Sequence, residues 1–202
     1  MTVSMMVSSL IQLILFSFIP LVCWLIFARK KQSFWSWIGL KAPEIKKKNL
    51  FFILFFSGLL LFLSLGWVIM LFFTNGSDVA ASQFDGVGVA GIAAALFYAF
   101  VQTGLSEEIV FRGFIGKRLI SAVGFTAGNS VQAALFGCLH GAMFFSHAGC
   151  LNALIITLFT AVIGWFMGYI NEKLAGGSIV PSWIMHGLAN LFTAMMMMFN
   201  LF

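Results

Sequence analysis

Gly104-Leu105-Ser106-Glu107-Glu108-Ile109-Val110-Phe111-Arg112 sets two adjacent carboxylates and a guanidinium inside a segment, about 88–117, that carries no other charge before Lys117. An ionisable side chain at membrane depth costs about 2.5–3.5 kcal/mol even on insertion scales, so such residues mark function by default. The surroundings make this a membrane question. The 202-residue chain is 61% hydrophobic and 8% charged, against roughly 25% charged in soluble domains. About 20 apolar residues cross a bilayer as helix. The apolar runs give about six spans, near 5–27, 50–73, 88–117, 127–147, 150–170 and 181–201. These segments lack the polar outer faces that helices of a soluble core would show. The expected fold is therefore all-α and polytopic, one transmembrane domain over 1–202 with a polar site inside the bundle. The third span exceeds a straight crossing, which predicts a break near Gly104 or a tilt.

Charge distribution sets the orientation. Arg29, Lys30, Lys31, Lys41, Lys46, Lys47 and Lys48 lie between the first two spans, Lys117 and Arg118 follow the third, and Lys173 follows the fifth. With six alternating spans these loops share one side, which the positive-inside rule makes cytoplasmic, with both termini outside. Asp78 and Asp85 fall in the opposite loop. The net charge of +5 is thus accounted for by topology and attraction to anionic lipid rather than nucleic acid. No basic residue precedes Arg29, so the first span reads as a retained anchor, not a cleavable signal. Cys23, Cys138 and Cys150 show no paired or metal-ligand spacing and read as small buried thiols. No internal repeat suggests inverted transporter halves.

Helical spacing sorts the charged cluster. Glu108 and Arg112 are four apart, acid first, the favourable order for an ion pair across one turn. Glu107 lies about 100° around the helix and is the less compensated carboxylate, a position suited to a general base. His140 lies well inside the fourth span, and His186 and Asn190 share a face one turn apart on the last. Counted from the basic ends, Glu107 lies ~15 Å deep and Asn190 about 13 Å, at 1.5 Å per residue. Three helices thus bring polar side chains to one level. Glu107 with His140 could deprotonate a water, and His186 with Asn190 could donate to an oxyanion. Glu107, His140 and His186 are also a possible zinc set with an open position, although no His-Glu-x-x-His is present. His147 reads as interfacial and outside the site.

Glu-Glu-x-x-x-Arg at 107–112, Phe-x-x-x-His at 136–140 and His-x-x-x-Asn at 186–190 resemble, in order, the three motifs of the CAAX prenyl protease and bacteriocin-processing family. Phe111-Arg112-Gly113-Phe114 and Pro181 resemble its flanks. The likeness covers about 100–195, within a family-like core of about 88–201. It implies an intramembrane endopeptidase in which Glu107 is the base, His140 holds the water, Glu108 and Arg112 support, and His186 and Asn190 line the oxyanion site. Relatives trim prenylated C-terminal tails, or act in bacterial peptide maturation and bacteriocin self-immunity. The expected partner is a peptide or protein substrate, lipid-modified or membrane-inserted, in a plasma (inner) membrane setting with membrane lipid around it. A metal-free water mechanism is favoured, with zinc as the alternative cofactor. Two other classes stay open: a non-hydrolytic scaffold binding a partner helix, and a proton-coupled transporter.

Overall fold

Every backbone polar group in a bilayer must be satisfied within the chain, and helices do this segment by segment. The computed structural model describes residues 1–74 and 79–201, and among these it contains helices, turns and no strand. Asp78, assigned from the sequence to the positive-free loop, lies outside the described residues. Helix α1 spans Thr2–Phe27, the short α2 Phe34–Ile38, and α3 Lys48–Phe73. Helix α4 runs Gly88–Val123. The next helical stretch, Phe125–Leu174, reverses at Gly149, whose φ of 80° and ψ of 169° are not helical. It is two helices, α5 (125–148) and α6 (150–174). Helix α7, Val180–Met198, begins with Pro181 in its first turn, where the missing N–H costs nothing. Helices α1, α3, α4, α5, α6 and α7 form the bundle of an integral membrane protein. Leu10, Ile14, Phe18, Ile53, Phe56, Leu60 and Leu158 stand exposed on its outside, where acyl chains are the fitting solvent.

Helix α4 does not break at Gly104. It widens into π-helical turns at Phe97–Leu105 and Ile109–Gly116, on either side of Ser106–Glu108. Such turns free carbonyls, and nearby hydroxyls take them up: Thr103 donates to Tyr98 O at 2.9 Å and Ser106 to Val101 O at 3.1 Å. Gly104 instead makes room for the widened turn, since a Cβ there would overlap the Ala99 carbonyl oxygen of the same helix, while Gly187 N of α7 would lie at ordinary contact distance. Trp183 Nε1 fastens the same pair by donating to Phe100 O at 2.6 Å.

The three basic loops meet at one end. Lys117 Nζ reaches Glu172 at 2.9 Å and Gly177 O at 2.7 Å, Ile179 N donates to Gly39 O, and Arg118 lies over the Trp37 ring. Met5, Ala81, Phe84 and Met198 cluster at the other end, where Gly86 N donates to Met197 O. Cys138 and Cys150, expected to be buried, are exposed on the apolar outside of α5 and α6. Their thiols are apolar enough to face lipid as readily as a core.

Helices α5 and α6 pack through Gly137 and Gly141, a small-x-x-x-small pair that lets backbones touch. A Cβ on Gly137 would overlap the Thr157 carbonyl oxygen, and one on Gly141 the Thr157 hydroxyl. Gly137→Val is therefore expected to lower stability by about 1–3 kcal/mol through overpacking, read as a fall in the thermal midpoint of purified protein. An unchanged midpoint would contradict this packing.

Candidate active site

The site hangs on a buried ion pair. Arg112 Nη1 lies 3.1 Å from Glu108 Oε1, with side chains 2% and 0% exposed. The guanidinium stacks on Phe136 at 4.1 Å, and Nη2 contacts the Met167 sulfur at 3.6 Å. Glu108 gathers two further donors. Its Oε1 faces His186 Nδ1 at 3.1 Å, and its Oε2 accepts the Ser182 hydroxyl. Ser182 is itself held by Asn171, whose Nδ2 donates to Ser182 Oγ at 2.7 Å and whose Oδ1 accepts Ser182 N–H at 3.2 Å. That N–H is one of the unpaired donors of the first turn of α7, so Asn171 of α6 caps α7 from outside. A carboxylate at this helix start also suits the local dipole.

Glu108 thereby orients His186. With Nδ1–H given to Glu108, Nε2 points to Glu107 Oε2, 3.8 Å away. His140 is set in the same sense: Nδ1 lies 2.9 Å from Phe136 O, and Nε2 faces the same Glu107 oxygen at 3.8 Å. Glu107 Oε2 is buried and, among the described residues, has no hydrogen-bond partner. Two imidazole nitrogens and one carboxylate oxygen therefore face a common point. The gaps are too long for direct hydrogen bonds and right for groups that share a water.

Asn190 stands one turn further along α7, donating to Thr103 Oγ1 at 2.7 Å. With His140 and His186 it lines a cavity of about 200 Å³. The structure thus brings Glu107, His140 and His186 face to face, seats Glu108 and Arg112 behind them, and sets Asn190 on the adjoining wall. His147 lies apart, exposed beside Ser146. Sequence reasoning missed Ser182, Asn171 and Thr103. Ser182, His186 and Asn190 are spaced four apart on one helix face, a signal that could have found the first. Nothing in the sequence joins Asn171 to it.

The zinc set of the sequence is Glu107, His140 and His186. Among the described residues, no three His, Cys, Asp or Glu side chains converge closely enough to hold a metal ion.

A family model described as type II CAAX prenyl endopeptidase Rce1-like matches residues 89–192, just over half of the chain and inclusive of Glu107, Glu108, Arg112, His140, His186 and Asn190. No curated protein and no solved structure matches the chain.

Proposed function

The chain belongs to the Rce1-like type II CAAX prenyl endopeptidase family, and from that premise we propose that it hydrolyses a peptide bond with a water activated by Glu107 and His140. The family is one of membrane proteases, so the substrate class is peptide or protein. The observation that carries the reading is the pair of 3.8 Å gaps from Glu107 Oε2 to His140 Nε2 and His186 Nε2. A water in that space donates one proton to Glu107 and the other to His140 Nε2. As its oxygen attacks the scissile carbonyl, Glu107 takes the proton. The tetrahedral oxyanion receives hydrogen bonds from Asn190 Nδ2 and from His186 Nε2, which donates when its ring carries both protons and Glu108 balances the charge. Collapse expels the amine, which takes back the proton held by Glu107. Glu108 and Arg112 position these groups without touching the substrate.

Residues 1–202 form one domain with its catalytic core at about 88–201, the basic end faces the cytoplasm, and both termini face outward across a plasma membrane. The meeting of the basic loops at one end supports this orientation.

Purified protein in lipid vesicles, incubated with a peptide library and read by mass spectrometry, tests the proposal. New peptide termini are expected, with cleavage surviving exhaustive chelation. Absence of cleavage would end the endopeptidase reading, and loss on chelation would replace the metal-free mechanism with a zinc one.

A further inference from the structure

Beside the reacting groups lies a cavity of about 200 Å³, walled by α3, α5, α6 and α7. Phe62, Trp67, Phe144, Phe159 and Phe192 are among its lining. Thr160 and Thr193 also reach it, but their hydroxyls donate to Ile156 O at 2.7 Å and Ala189 O at 3.2 Å on their own helices. Its remaining polar edge includes His140, His186 and Asn190, so the apolar space opens directly onto the proposed site.

Resting on the endopeptidase reading, we propose that this cavity receives one bulky apolar side chain of the peptide beside the scissile bond, and that Gly66 sets the size it admits. Size argues for a side chain. A cavity of about 150 Å³ lined by apolar residues holds a benzene, so this one holds a phenyl or branched aliphatic group. Position argues for Gly66. A Cβ there would meet nothing nearer than Phe159 Cζ at 3.8 Å, an ordinary contact. Gly58, about two turns earlier on the same helix, differs: a Cβ there would collide with the Phe166 ring. Gly58 is closed by packing, whereas Gly66 faces space that a side chain could fill.

The test compares wild type, Gly66→Ala and Gly66→Leu in vesicles on unlipidated peptides that carry Phe, Leu or Ala at each position flanking the scissile bond, and on a farnesylated counterpart. Wild type is expected to favour Phe or Leu over Ala in kcat/KM by about tenfold or more, the scale on which apolar pockets discriminate. Gly66→Ala should narrow that ratio and Gly66→Leu invert it, with thermal melts verifying that both variants fold. An unaltered ratio overturns the proposal. So does a wild type indifferent to these side chains whose cleavage of the farnesylated peptide alone responds to Gly66. If wild type cleaves none of the peptides, the endopeptidase reading falls and this proposal with it; cleavage with an unaltered ratio removes this proposal alone.

Discussion

Glu107→Gln is expected to lower kcat by about 10²–10⁴-fold, the range that general-base catalysis contributes. The amide matches the carboxylate in size but cannot take the proton that the attacking water must lose. The fold should survive, because Glu107 Oε2 has no hydrogen-bond partner among the described residues to give up. Parallel measurement of turnover and thermal midpoint separates the two effects. Full activity in the variant would remove Glu107 from the chemistry. A cellular phenotype kept by the variant, with no cleavage by either protein, would favour a scaffold, in which a near-isosteric amide serves as well as an acid.

Arg112→Met should act through the fold. Removing one partner of a buried pair leaves an uncompensated charge and costs about 3–5 kcal/mol. Here that charge would be Glu108, with 0% of its side chain exposed. The Ser182 hydroxyl and a neutral His186 ring remain as donors but do not replace the lost charge. Adding Glu108→Gln to Arg112→Met should recover part of the loss, because neither residue then carries a charge, and a double-mutant cycle on unfolding midpoints reads that coupling. Additive losses would mean that the pair contributes nothing as a pair. Arg112→Lys should not rescue, since an ammonium cannot stack on Phe136 as the planar guanidinium does.

The spans were legible because apolar length is a one-dimensional signal. Even the reversal at Gly149 falls between two segments read from hydropathy alone, near 127–147 and 150–170. The extent of α4 was less legible: the sequence ended that span near Lys117, and the helix runs to Val123. Lys117 sits there inside a helical end, satisfied by Glu172 in the last turn of α6 and Gly177 of the loop before α7, a contact no local pattern records. The pairing of Glu108 with Arg112 follows from spacing within one helix. The facing of Glu107, His140 and His186 depends on how α4, α5 and α7 rotate about their axes, and the glycines that fix those rotations act only through packing. Gly104 reads in sequence as a candidate break and in space leaves room for the Ala99 carbonyl of a widened turn. Asn171 was invisible for the same reason, because its partner Ser182 belongs to another helix. The cavity depends on α3, which the sequence offered only as a membrane crossing.

If Glu107 deprotonates a free water for the attack, that water supplies an oxygen of the new C-terminal carboxylate. Single-turnover cleavage in ¹⁸O-labelled water, followed by mass spectrometry of both product and protein, tests it directly. One ¹⁸O should appear in the new C-terminal carboxylate and none in Glu107 or Glu108. Label accumulating in either glutamate would reveal a covalent acyl intermediate and contradict direct attack by water.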